Sequence, residues 1–145
     1  MASILKPNEV REYISDYPDQ NLLLDEQEFG DTFINLSMDL AVSEYNTIAP
    51  RTSFSVDNFP SKSVLMMGTL WQMYLGKSTL KARNHMSYTD GGLQIPIEEK
   101  YELYKNLADS FRAQFMETAN RLKISANMEA GWGEVRTDEA SFPYW

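Results

Sequence analysis

The apolar positions follow helical periods over most of the chain. Pro7 opens a short segment, PNEVREYISDY, with Val10, Ile14 and Tyr17 on one side. Proline suits the first helical turn, where its missing N–H would lack a partner anyway. Pro18 is predicted to end this helix, because its ring disfavours helix in the preceding residue. The run Leu22-Leu23-Leu24 is too short to assign by period; it reads as an extended segment laid on the core or as a small strand. Asp25, followed three residues later by Glu28, predicts the start of a second helix running to about Thr47. Its apolar positions are Phe29, Phe33, Leu36 and Leu40, widened by Ile34, Met38, Ala41, Tyr45 and Ile48. They exceed one face, so this helix is expected to touch neighbours on two sides.

Residues 47–60, TIAPRTSFSVDNFP, form an extended connection bracketed by Pro50 and Pro60 and pinned by Phe54, Val56 and Phe59. Long ordered loops of this kind often carry contacts. Pro60 starts a third helix, PSKSVLMMGTLWQMYLGKSTLKARNHM, whose first half is apolar nearly all round with Gly68 in its middle. Such a helix is central, and glycine lets a partner approach closely. Its second half turns basic at Lys77, Lys81 and Arg83, which complements the negative end of a helix. In SYTDGGLQIP, residues 87–96, Asp90-Gly91-Gly92 is a turn signal and Leu93, Ile95 and Ile97 alternate, so a short strand or hairpin arm is predicted.

Pro96 begins the last and longest helix. Its apolar series is Ile97, Tyr101, Tyr104, Ala108, Phe111, Phe115, Ala119, Leu122 and Ala126, spaced by threes and fours. At ~1.5 Å per residue it would be about 45 Å long. From Gly131 the period dissolves in GWGEVRTDEASFPYW, yet Trp132, Phe142, Tyr144 and Trp145 are aromatic. A solvated tail has little reason to carry them, so they are expected to be buried on their own domain or on another subunit. The expected fold is mainly α. A bundle of about four helices spans 1–130, with the loop 47–60 and a β-hairpin or strand arm at 87–96, and an extended aromatic arm follows at 131–145.

Composition narrows the function. At 145 residues there is room for one domain. No cysteine is present, which removes disulfide frameworks, thiolate zinc sites and cysteine nucleophiles. A single histidine, His85, removes a two-histidine metal site within one chain. The net charge of −8 argues against a fold-wide basic face for nucleic acid, although Lys77, Lys81 and Arg83 leave open a small DNA-associated module. The longest apolar-rich run, residues 64–75, falls short of the ~20 residues that span a bilayer. MASILKPNEVREY has no apolar stretch before its first charges. A soluble chain made in a cytoplasm, without membrane contact, is expected.

The search for chemistry finds little. His85 lies in a basic stretch with no G-x-S-x-G nearby. Glu98-Glu99 and Asp25-Glu26-Glu28 are explained by helix N-termini. Gly76-Lys77-Ser78 follows apolar helix residues and not a glycine-rich loop. The expectation is a protein that is no enzyme and has no cofactor or metal. What remains is a helical core with elements suited to reaching other subunits.

The order of segments carries a resemblance: VREYISDYPDQNLLL, then AVSEYNTIAP, a buried helix after FP, ARNHMSYTDGGL, a long helix reaching LKISAN, and AGWG with an aromatic tip. Over about residues 9–145 this resembles the head-to-tail connector (neck or adaptor) proteins of tailed bacteriophages. Arg83-Asn84 with Ser87-Tyr88-Thr89-Asp90-Gly91-Gly92-Leu93, and the closing Trp132-Gly133, are its most specific pieces. The resemblance implies a non-enzymatic virion subunit that forms a ring, commonly twelve-fold, between the portal protein and the next neck or tail protein. DNA would pass through the lumen without sequence-specific binding. A tail or baseplate component of the same virion remains an alternative. The implied contact residues are Phe54, Phe59, Tyr88, Asp90, Gly91, Gly92, Leu93, Trp132, Phe142, Tyr144 and Trp145.

Overall fold

The computed structural model describes residues 3–21, 26–84, 87–90, 93–96 and 100–132, with the backbone alone for 87–90, 93–96 and 132. The helices are α1 (Pro7–Ile14), α2 (Asp31–Thr47), α3 (Lys62–Arg83) and α4 (Lys100–Trp132), with a single 3-10 turn at Val56–Asn58. The mainly helical bundle expected from the sequence is present.

Several ends differ from expectation, each for a local reason. Helix α1 stops at Ser15, which takes a left-handed conformation (φ 56°, ψ 40°), three residues before Pro18. That turn releases Asp16, whose buried carboxylate accepts the backbone N–H groups of Glu28 (2.7 Å) and Phe29 (2.9 Å). Those two N–H groups are therefore spent across the chain, and α2 starts at Asp31 behind Gly30 instead of at Asp25. Helix α3 begins after Ser61, whose hydroxyl accepts from the Val64 N–H. Helix α4 starts at Lys100 and not at Pro96, because Pro96 is the last residue of an extended strand. At its other end α4 continues through Gly131 to Trp132, past the expected boundary. Leu22–Leu24 lie outside the described residues.

Helix α3 is the shared partner. Its main interfaces are with α2 and α4, which make no comparable interface with each other. Phe33 meets Gly76 and Ala41 meets Gly68, so α2 runs antiparallel to α3. Tyr74 stacks on Tyr104 and on Phe111, and Trp71 packs on Phe115 (5.6 Å between centroids), so α4 is also antiparallel to α3. Helices α2 and α4 therefore point the same way. The crossing is tightest at Gly68, where an added Cβ would stand 2.8 Å from both the Ala41 Cβ and the Phe115 ring. Around it Leu65, Thr69, Leu70 and Met73 are fully buried. This answers the all-round apolar character of the first half of α3.

The loop 47–60 is tied down by its own domain. Asn46 holds it with a 2.8 Å bond to the Phe54 carbonyl and accepts from the Phe54 N–H and the Thr52 hydroxyl. Phe59 is buried and packs edge-on against Tyr45 (4.8 Å), with Phe54 beside both. Of the two loop rings expected as partner contacts, Phe59 is buried against Tyr45, while Phe54 is half-buried at the edge of the same cluster. The strands β1 (Ser87–Asp90) and β2 (Leu93–Pro96) pair antiparallel, Ser87 opposite Pro96 and Asp90 opposite Leu93. Gly91 and Gly92 lie outside the described residues. This short pairing by itself does not support an arm that reaches a neighbour.

The two helical glycines test the packing. An added Cβ at Gly76 meets only the outer end of the half-buried Phe33 ring, which can swing. At Gly68 it meets two anchored groups. Gly68→Ala and Gly76→Ala gain the same helix propensity, so their difference reads crowding alone. Gly68→Ala is expected to be the less stable by about 1–3 kcal/mol in urea unfolding. Equal stabilities would show that α3 is not clamped at Gly68.

Candidate assembly surfaces

Helix α2 turns Ile34, Met38, Ala41 and Tyr45 inward. Leu36 and Leu40 stand on its other side, four residues apart and therefore adjacent on the helix surface. Helix α4 repeats the arrangement. Ala108, Phe115 and Ala119 are buried, while Leu103 with Leu107, and Ile124 with Met128, form two adjacent exposed pairs, with Leu107 on the flank beside Tyr104 and Phe111. These six side chains are between 41% (Leu107) and 65% (Leu103) exposed. Scattered exposed leucines need no explanation; paired ones at helical spacing on two different elements form docking faces.

Helix α4 also outruns its support. It has 33 residues against 22 in α3, about 50 Å against about 33 Å at ~1.5 Å per residue. Beyond Lys123 every residue to Gly131 is exposed. A helix end of two turns gains little stability from propensity alone.

Charge differs between the two outer faces. Helix α2 carries Asp31, Asp39 and Glu44 and no lysine or arginine. Asp31 pairs with Arg11, while Asp39 and Glu44 are exposed and have no ion pair among the described residues. On α4, Lys100 lies one turn before Leu103, exposed and likewise without an ion pair among the described residues. The middle of that face is polar: Gln114 donates to Ser110, and Arg121 pairs with Glu117 at 2.6 Å.

Two buried cations fix the ends of the bundle. Arg11 bridges α1 to the start of α2, donating to the Asp31 carboxylate and to the Phe29 carbonyl (2.8 Å). Lys123, 3% exposed, donates to the Pro50 carbonyl (2.8 Å) and the Thr52 hydroxyl (2.6 Å) and lies 4.3 Å from the centre of the Tyr45 ring. It thereby ties α4 to the loop after α2. Burial pulls the Lys123 ammonium below the usual lysine range and raises the Tyr45 phenol.

The basic stretch of α3 is partly committed. Lys77 donates to the Glu28 carbonyl (2.7 Å) and sits over the Phe29 ring. Phe33, Gly76 and Leu80 line a cavity of about 240 Å³ with Glu28 and Lys77 at its edge. A second, wider hollow of about 610 Å³ lies between the end of α2 and the following loop, beside Asp39, Asn46 and Arg51. No helix among the described residues is long and apolar enough to cross a membrane, and no group of three His, Asp or Glu among them could hold a metal ion.

Of the residues singled out from sequence, the structure brings Phe54 and Phe59 together beside Tyr45, Phe59 buried and Phe54 half-buried. It places the backbone of Tyr88, Asp90 and Leu93 in the strand pair and that of Trp132 at the end of α4. His85, Gly91, Gly92, Phe142, Tyr144 and Trp145 lie outside the described residues. Sequence reasoning missed Leu103, Leu107, Ile124 and Met128. Their signal was a second set of i, i+4 pairs running opposite the Tyr101–Ala126 series. It also missed Lys123, whose charge gives no hint of burial.

Lys123 yields a pH test. Its pKa is lower folded than unfolded, so over the alkaline range below the ordinary lysine value the unfolded chain holds the extra proton. Stability contributed by this group is thus present above the unfolded pKa and is lost as pH falls through the depressed folded value. The stability of the native protein relative to Lys123→Met is expected to rise with pH across that window, as read by parallel urea titrations. A pH-independent difference would contradict a buried ammonium. Compared with known proteins, the chain matches no family model, no curated protein and no solved structure.

Proposed function

We propose that this chain is a structural subunit of a tailed-phage virion, a head-to-tail connector (adaptor or neck) protein. In this reading it forms a ring, commonly twelve-fold in such proteins, between the portal and the next neck or tail protein. DNA passes through the lumen without sequence-specific binding. The protein is made in the host cytoplasm and ends in the particle; it has no catalytic role and no cofactor.

The observation that carries the reading is the pair of apolar outer faces, Leu36/Leu40 on α2 and Leu103/Leu107 with Ile124/Met128 on α4. A module that binds one partner needs one such face; a subunit seated between neighbours needs one on each side. The unsupported end of α4, leading into the aromatic stretch Phe142, Tyr144 and Trp145, suits contact with a portal or an adjoining ring. The hairpin residues Tyr88, Asp90 and Leu93 are assigned to the same contacts, as an arm. The acidic balance suits a lumen along which DNA slides. A tail or baseplate component would use the same faces. The DNA-associated module is weakened, because Lys77 spends its ammonium on Glu28 and Phe29.

Deleting residues 133–145 keeps α4 whole and tests the reading. The shortened chain is expected to stay helical with its thermal midpoint within a few degrees of the full chain, and to be missing from particles made when it is the sole copy supplied. A midpoint lowered by more than about 10 °C, the scale of several kcal/mol lost, would place the aromatic stretch in its own core instead. Particles that assemble and hold the shortened chain would contradict its role in contacts.

A further inference from the structure

From the two outer faces we infer that copies of this chain associate head to tail, Leu36 and Leu40 of one copy packing against Leu103 and Leu107 of the next. The inference deepens the ring reading and rests on it for the biological setting.

Three observations select this occupant. The first is apolar match: each face offers one i, i+4 leucine pair of the same size, so one pair can sit across the other as ridges fill grooves. The second is charge. Asp39 is one turn beyond Leu36 and Glu44 one turn beyond Leu40, both without an ion pair among the described residues; Lys100 is one turn before Leu103, also without one there. Helix α2 has no cation at all, so two α2 faces repel one another and a self-paired contact through α2 is disfavoured. Contact between unlike faces is what the charges favour.

The third is height. Phe33 of α2 and Tyr104 of α4 both meet α3 near Tyr74–Gly76, and α2 and α4 run the same way. Counting from that common level, the midpoint of Leu36 and Leu40 lies about 7 Å along the axis and that of Leu103 and Leu107 about 1.5 Å, at ~1.5 Å per residue. The two pairs are within roughly one helical turn of the same height. A contact between unlike faces closes into a ring when successive copies are related by rotation with little translation, and becomes a filament otherwise. Near-equal height meets the first condition. Ile124 and Met128, more than 20 Å further along by the same ~1.5 Å rise, are left for a different partner at the unsupported end of α4.

The test uses two variants of the full chain, Leu36→Glu/Leu40→Glu and Leu103→Glu/Leu107→Glu. All four positions are exposed, so both proteins should keep the native far-UV circular dichroism. Sedimentation and native mass spectrometry up to millimolar concentration read the association. The native chain is expected to form concentration-dependent oligomers and each variant alone to stay monomeric. Mixing the two variants should yield a one-to-one heterodimer and nothing larger, because each keeps one intact face. Asp39→Lys should weaken association up to about fivefold, and Lys100→Asp should restore it in the mixed pair. A native chain that stays monomeric, a mixture of variants that does so, or a variant that dimerises with itself each overturns the inference. Location of the chain in a particle is a separate measurement, so failure here leaves the connector reading standing or falling by itself.

Discussion

The close approach of three elements at Gly68 governs the arrangement. Ala41 of α2 and Phe115 of α4 both press on Gly68, which has no side chain to hold them off. Because α3 is consumed by contacts on two sides, the inward faces of α2 and α4 are fixed, and so are their outward ones. The exposed leucine pairs are a consequence: once Ala41 and Tyr45 face in, Leu36 and Leu40 must face out, and once Phe115 and Ala119 face in, Leu103 turns out with Leu107 on the flank.

Two polar devices keep the helices in that setting. At one end, Asp16 and Arg11 hold Glu28, Phe29 and Asp31, which fixes where α2 begins. At the other, Lys123 reaches the Pro50 carbonyl and the Tyr45 face, which fixes where α4 passes the loop. A buried ammonium that pairs with no carboxylate among the described residues is a costly way to close a core. Its two oxygen acceptors and the Tyr45 ring together tie this point of α4 to the loop.

Much of this architecture was legible from spacing alone. The threes and fours from Tyr101 to Leu122 placed α4, and the apolar run around Gly68 identified the central helix. What spacing could not supply was long-range competition for backbone groups. Asp25 and Glu28 look like a helix start, but Asp16 claims the Glu28 and Phe29 N–H groups from another part of the chain, and Pro96 looks like a helix start until Ser87 pairs with it. The aromatic loop residues Phe54 and Phe59 read equally as core or as contact, and only Tyr45 decides between them. The excess of apolar positions on α2 predicted neighbours on two sides, but within the chain Leu36 and Leu40 are exposed; the exposed pairs on α4 were hidden behind a stronger period.

The outer faces of α2 and α4 are bare in the single chain and, in the proposed assembly, covered. Amide hydrogen exchange, followed by peptide in the monomer and in the assembled state, measures this directly. It should find the α3 amides from Val64 to Met73 slowest in both states, and slowing on assembly concentrated in Leu36–Leu40 and Leu103–Leu107. Assembly that leaves both segments unchanged while slowing other parts of the chain would contradict it.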